Sequence, residues 1–292
     1  MKILISGASG FIGKHLVNSL VIDHSIYGVS RANKISEPKV SSVIADLTDK
    51  EWIKILPDNI DCVIHLAQSR RYRDFPEGVA DMQRINIDAT VELLEWARQA
   101  GVRQFVFAST ANVYAPSVHL LVETSPAIPN SFYGASKLAA EHLARQYQKY
   151  FQVDILRLFT VFGPRQRNML IANIIDRIKT GQEITLAKGV GIYLTPIFVG
   201  DVVNVVKGLI TSPAEGESRL MNVCGEHVTS LCEIVNILEA LQEKSAVIRM
   251  TNEEEVFLTG NNSKLRKLIG DYRFLDLKSG LKCTLNIESQ LH

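Results

Sequence analysis

The chain opens Met1-Lys2-Ile3-Leu4-Ile5-Ser6-Gly7-Ala8-Ser9-Gly10-Phe11-Ile12-Gly13. Ile3 to Ile5 form a short apolar run of the kind that builds a strand buried on both faces. Glycines follow at 7, 10 and 13, and Phe11, Ile12, Leu16, Val17, Leu20 and Val21 then repeat with helical spacing. A strand, a glycine turn and a helix start in immediate succession is the context a dinucleotide fingerprint requires. Gly7 would permit the tight turn, Gly10 would let backbone approach a pyrophosphate, and Gly13 would let helix and strand pack closely. The anion would rest on the exposed amides of the helix start, which include those of Phe11, Ile12 and Gly13. The spacing is Gly-x-x-Gly-x-x-Gly, a variant of the more familiar Gly-x-Gly-x-x-Gly.

Further along, strand-like runs rich in Val, Ile or Phe are expected at 2–6, 25–30, 40–45, 60–66, 103–108 and 153–158. Helical patterns fall at 11–22, 48–55, 76–100 and 131–150, with Pro76 suited to a first helical turn and Gly101 to a helix end. Strands alternating with helices predict a doubly wound α/β architecture, a parallel sheet with helices on both faces. After Gly163-Pro164 the pattern loosens into shorter elements, with helices near 167–180, 201–211 and 229–242.

The chain has 292 residues, of which 46% are hydrophobic, and a net charge of +1. That length supports one large α/β domain with an appended lobe. The balanced charge gives no reason to invoke nucleic acid or an acidic membrane. No apolar run approaches the ~20 residues of a transmembrane helix, and a strand starting at Lys2 leaves no room for a signal peptide. Cys62, Cys224, Cys232 and Cys283 lack paired ligand spacing, so buried free thiols in a reducing compartment are favoured over disulfides or zinc. A cytoplasmic protein is expected, and no metal.

Tyr133-Gly134-Ala135-Ser136-Lys137 places a phenol and an amine one helical turn apart on one face. A free phenol ionises near pH ~10, and a neighbouring ammonium would lower that value. Alone the spacing is weak, because both residues are common on amphipathic helices.

Together with the glycine turn, other segments occur in a telling order. They are His65-Leu66-Ala67, Asn86, Ser109-Thr110-Ala111-Asn112-Val113-Tyr114, Tyr133 to Lys137, Arg157 through Gly163-Pro164, Val199-Gly200-Asp201-Val202 and Met221-Asn222-Val223. Over roughly residues 1 to 240 the chain resembles the extended short-chain dehydrogenases/reductases, the NAD(P)-dependent epimerase/dehydratase family of mostly nucleotide-sugar-modifying enzymes. The resemblance implies a Rossmann-type NAD(P)-binding domain over 1–160. A smaller C-terminal substrate-binding lobe over 161–292 would be partly interleaved with the sheet.

It also implies roles by position. Thr110, Tyr133 and Lys137 would be catalytic, with Tyr133 exchanging a proton with a substrate hydroxyl or carbonyl while hydride passes to or from a nicotinamide. Lys137 would lower the phenol's pKa and bind the nicotinamide ribose. Gly7, Ser9, Gly10, Phe11, Ile12 and Gly13 would hold the pyrophosphate, Asp46 and Leu47 the adenine edge, and Leu66 and Ala67 the cofactor through their backbone. The second strand ends in Ser30-Arg31 where an acidic residue would select NAD, which favours NADP over NAD. An ordinary solvated arginine is the alternative for Arg31, and a plain loop aspartate before a core leucine for Asp46-Leu47. His65 reads as a packing residue, Asn86 as a structural hydrogen-bonding one.

Family dehydratases carry an Asp-Glu pair after the catalytic threonine. Here Ala111 and Asn112 stand there, so dehydration is disfavoured. Epimerisation and carbonyl reduction both remain open. The substrate side departs from the family, with Thr160 where an asparagine contacts the diphosphate and the region of Leu194 where an arginine anchors it. Arg165 and Arg167 are candidate replacements, with simple surface exposure as the alternative, and the basic cluster Arg70, Arg71 and Arg73 reads as a solvated loop rather than a site for an anionic substrate. A nucleotide sugar or keto-sugar is the leading substrate and a homodimer the expected assembly. The alternatives are reduction of a smaller non-nucleotide ketone or aldehyde, and a non-catalytic dinucleotide-sensing protein.

Overall fold

The computed structural model describes residues 1–32, 34–211 and 218–289, and the chain divides into two compact units. The first is built from Met1–Ala115, Ser125–Arg157 and Val203–Met221. Its strands are β1 (Lys2–Ser6), β2 (Ser25–Ser30), β3 (Val40–Ile44), β4 (Cys62–His65), β5 (Gln104–Thr110) and β6 (Gln152–Leu158). With the strand Arg219–Val223 they form a seven-stranded sheet in the order Arg219–Val223, β6, β5, β4, β1, β2, β3. The β1–β2, β2–β3, β1–β4 and β4–β5 pairings are all parallel. The order in which strands are added therefore reverses beside β1, with β2 and β3 laid down on one side and β4 and β5 on the other. A crevice at the carboxyl ends of such strands is where doubly wound folds bind ligands.

The buried runs explain the sheet. Every residue of β4 and β5 is buried, and β1 is buried from Ile3 to Ser6. Continuous burial is the signature of a sheet covered on both faces. Leu4, Val63, Phe105 and Phe107 meet Leu93, Leu94, Ala140 and Ala144 in one core cluster.

Helices depart from the sequence pattern in several places, among them the helix expected at 131–150, which ends at Arg145. The helix expected at 48–55 is a single 3₁₀ turn, Trp52–Ile55. Ahead of it, Asp46 Oδ1 takes the Thr48 N–H and Asp49 Oδ1 the Glu51 N–H, so side chains compete for the amides a helix would use. Pro57 then forces Leu56 into extended backbone. The helix expected at 76–100 begins at Val79, beyond a cis Phe75–Pro76 bond. It widens into a π-helical turn over Gln83–Asp88 and resumes as Ala89–Gln99. Gly101, at φ 71°, ends it as expected.

The second unit comprises Pro116–Thr124, Leu158–Val202 and the chain from Asn222 onward. Glu183–Ala187 pairs in parallel with Val247–Thr251, and three two-residue strands form a smaller sheet. Ile171, Ile175 and Ile178 of the helix Leu170–Thr180 pack with Ile234 and Leu238 of the helix Leu231–Gln242. A reciprocal capping box between Ser230 and Glu233 starts the latter helix. All four cysteines are free. Cys62 and Cys224 are buried, but Cys232 is half-buried and Cys283 exposed, so burial holds for two of them. No described helix is long and apolar enough to cross a membrane.

Candidate active site

At the end of β1, Gly7 turns the chain with φ 72°, a conformation that disfavours any side chain. Space forbids one as well, since a Cβ on Gly7 would lie 2.8 Å from the Ala67 amide nitrogen. The Gly10 amide donates to the Gly7 carbonyl at 2.8 Å, closing the turn. Gly10 then acts as the cap of the helix Phe11–Leu20 with no side chain satisfying its first amides. Gly13 lies so close to the turn that a Cβ there would be 2.2 Å from the Gly7 carbonyl oxygen. These three positions form a backbone cradle that side chains would fill, with the helix dipole aimed into it. Ser9 and Gly10 are exposed at its rim. The cradle fits a pyrophosphate.

At the neighbouring strand ends, Ser30 is buried and Arg31 exposed. Burial pushes the Asp46 carboxyl up. Hydrogen bonds from the Thr48 amide and hydroxyl, with the Arg31 charge, outweigh it and hold the group below the usual carboxylate range. Leu47 belongs to the buried core cluster, so beside a ligand it would offer backbone. Leu66 and Ala67 follow β4, the Leu66 amide donating to the Ser6 carbonyl at 3.1 Å.

Thr110 ends β5, and Tyr133 sits in the first turn of the helix Phe132–Arg145. Ser131 caps that helix by accepting the Gly134 amide at 3.1 Å. Gly134 has no room for a Cβ, which would lie 2.1 Å from the Asn112 carbonyl oxygen. The helix start is thus seated against the segment that follows Thr110. Thr110 Oγ1 accepts from the Asn112 amide at 3.2 Å and from its Nδ2 at 3.1 Å. Its own hydroxyl hydrogen is left for the Tyr133 oxygen, with which it hydrogen-bonds. The phenol donates to Gln68 Oε1 at 2.8 Å and packs on Tyr72, ring centroids 5.2 Å apart.

One turn deeper, Lys137 is 1% exposed, its Nζ 4.3 Å from the Phe107 ring centroid. Burial pushes the ammonium down to about 7, opposed by the Glu141 carboxylate. Burial also pushes the phenol up to about 12, with the Thr110 hydrogen bond opposing. Desolvation thus keeps the phenol above its usual range, and Lys137 is not among the groups that move it.

Two groups at this site, Glu141 and Gln68, were not singled out from sequence. Glu141 continues the same helix face four residues after Lys137 and is buried with Arg157, which donates from Nη2 at 2.7 Å. Ser109 also donates to Glu141, and the Arg157 guanidinium lies 4.5 Å from the Tyr114 ring centroid. Spacing alone could have flagged Glu141. Nothing local could have flagged Gln68, which reaches Tyr133 across 65 residues.

Thr160, Arg165 and Arg167 belong to the second unit. Thr160 is half-buried, its carbonyl accepting the Ile197 amide at 2.9 Å. Arg165, at φ 64°, and Arg167 are both exposed and flank Gln166, whose buried side chain donates to the Val161 carbonyl. Leu194 is buried in that unit's core.

A family model described as the NAD dependent epimerase/dehydratase family matches residues 3–224. The chain belongs to that family. The extended short-chain dehydrogenase/reductase type read from the motifs, nucleotide-sugar-modifying, is the one these comparisons support, and the sheet is Rossmann-like. A UDP-glucuronate 4-epimerase of Thermodesulfobacterium geofontis is 30% identical over 97% of this chain and 94% of its own length. YtcB of Bacillus subtilis, described as an uncharacterized UDP-glucose epimerase, is 27% identical over 100% and 99%. Among solved structures, a UDP-glucuronic acid 4-epimerase from Bacillus cereus in complex with UDP-glucuronic acid and NAD superposes with a TM-score of 0.90. It is 26% identical, and the match covers all of both chains. In this epimerase family the cofactor is a nicotinamide dinucleotide, and carbonyl reduction of small ketones finds no support among these relatives.

Proposed function

We propose that this protein is an epimerase of UDP-linked sugars that inverts a hydroxyl-bearing ring carbon by oxidising it to a ketone and reducing it again from the opposite face. The observation that carries the reading is the Thr110–Tyr133 pair set one turn above a buried Lys137. The activities of the relatives support UDP as the carrier and C4 as the carbon. Tyr133, deprotonated, removes the hydroxyl proton of that carbon and later returns it to the ketone oxygen. Thr110 donates to the same oxygen and holds it beside the phenol. Lys137, when charged, stabilises the phenolate. The dinucleotide, when bound, supplies the hydride acceptor and donor. Ala111 and Asn112 offer no acid or base for elimination.

For the dinucleotide we assign Gly7, Ser9, Gly10, Phe11, Ile12 and Gly13 to the pyrophosphate, and Asp46 with Leu47 to the adenine edge. Leu66 and Ala67 would line it through backbone, and Lys137 would bind its ribose. Ser30 and Arg31 support NADP, since a guanidinium pairs with a phosphate where a carboxylate would repel it. NAD at least as tightly bound as NADP by the purified protein would overturn that preference. Substrate phosphates are assigned to the second unit, through Arg165 and Arg167 with Thr160 beside them. A homodimer is our reading of assembly. Free buried thiols support a reducing, cytoplasmic compartment.

The test is conversion of UDP-glucose and UDP-glucuronate to their C4 epimers, followed by NMR without added reductant. Tyr133→Phe should lower kcat by about 10³-fold with little change in KM. Unchanged turnover in that variant, or product that appears only as NADPH is consumed, would sink the proposal.

A further inference from the structure

Between the glycine turn and the catalytic helix runs a chain of buried polar groups whose protons can be assigned by elimination. Thr90 Oγ1 lies 2.9 Å from the Asn86 carbonyl oxygen, which can only accept, so the Thr90 hydrogen points there. Thr90 Oγ1 is also 2.9 Å from His65 Nε2 and, its hydrogen spent, must accept from it. Burial keeps the imidazole neutral, so His65 is the Nε2–H tautomer with a bare Nδ1, and Ser6 Oγ, 2.5 Å away, must donate to that nitrogen. Ser6 Oγ accepts in turn from the Ala67 amide at 3.4 Å.

Asn86 continues the chain with its side chain. Its Oδ1 accepts the Ser69 amide at 2.9 Å, and its Nδ2 donates to Ser136 Oγ at 3.0 Å. Ser136 donates to the carbonyl of Tyr133 at 2.8 Å. Ser6, His65, Ser69, Thr90, Asn86 and Ser136 are all buried, so none can trade a lost partner for bulk water. Each proton has one place in the chain, and reversing any member leaves another unsatisfied.

We propose that His65 is a positioning residue that couples the glycine turn to Tyr133 through Thr90, Asn86 and Ser136. Ala67, at one end, abuts Gly7, and Tyr133, at the other, carries the phenol. Displacement of the Ala67 amide by a dinucleotide would be felt at the Tyr133 backbone. The ring is held for this task, stacked on Phe107 with centroids 5.7 Å apart and edge-on to Phe105 at 6.1 Å. Asn86 can serve both directions because it lies inside the π-helical turn, the kind of insertion that often marks functional sites. The inference rests on the glycine turn binding the dinucleotide, as proposed above.

Nitrogen NMR of labelled protein saturated with NADP or NAD tests it without any turnover. His65 should show a protonated Nε2, a bare Nδ1 and no titration above pH ~5. An Nδ1–H tautomer in the wild-type protein would overturn the proposal. Thr90→Val should shift the tautomer toward Nδ1–H and weaken both dinucleotide affinity and kcat, by about tenfold each. Thr90→Ser should restore all three. Thr90→Val combined with Ser136→Ala should cost little more than the worse single variant, whereas costs that multiply would show independent sites and overturn the coupling. Inactivity of the wild-type protein on UDP-sugars would sink the functional reading, yet leave the tautomer and affinity results to judge this one.

Discussion

Lys137 holds a charge where the fold disfavours one. Burial lowers its pKa to about 7 from the unfolded value of 10.5, so the stability it contributes is intact above pH 10.5 and is lost as pH falls toward 7. At neutral pH the ammonium costs the fold energy that the chemistry uses. Lys137→Met should raise stability by about 1–3 kcal/mol at pH 7 while lowering kcat at least about 100-fold. Thermal melts at pH 7 and pH 10 check this, because the gain should shrink at the higher pH. Glu141 keeps Arg157 and Ser109 as partners in that variant, so no new unpaired carboxylate offsets the gain. Of this constellation, Tyr133, Lys137 and Thr110 were legible because helical spacing and a strand end are local features. The Arg157–Glu141 pair joins a strand to a helix, and no local rule foretells it.

Among the elements, the strands of the first unit were readable because burial on both faces leaves long Val, Ile and Phe runs. The long helix misled, since a π-helical turn changes the backbone without changing composition. Two-residue strands such as Tyr193–Leu194 and Thr229–Ser230 are too short for any period to register. The start of the catalytic helix offers a sharper test of element placement. Gly134→Ala would set a methyl 2.1 Å from the Asn112 carbonyl oxygen, at a rigid backbone neighbour. We expect a loss of about 2–4 kcal/mol in urea unfolding. Tyr133 would move off Thr110, and kcat would fall more than KM rises.

For the whole molecule, acid should be the weak direction. Burial, with the Lys137 charge adding to it, pushes His65 down to about 3 from 6.5, so it stays neutral in the fold. A depressed histidine contributes stability that is complete above pH 6.5 and lost as pH falls toward 3. Each pH unit in that window should cost about 1.4 kcal/mol from this group alone. Urea unfolding at pH 6, 5 and 4 should show the slope, and His65→Gln should flatten it. A slope unchanged by that substitution would assign the acid sensitivity elsewhere.

Phe107 is a surface on which two other groups rest. One ring meets both the Lys137 ammonium and the stacked His65 imidazole, and it takes no part in proton exchange. That makes it a place to listen from. A fluorinated phenylalanine at this position would carry a magnetic label whose resonance follows the charge on Lys137 through the face of the ring. The state of the buried amine would become visible at every stage of turnover, with none of the reacting groups altered.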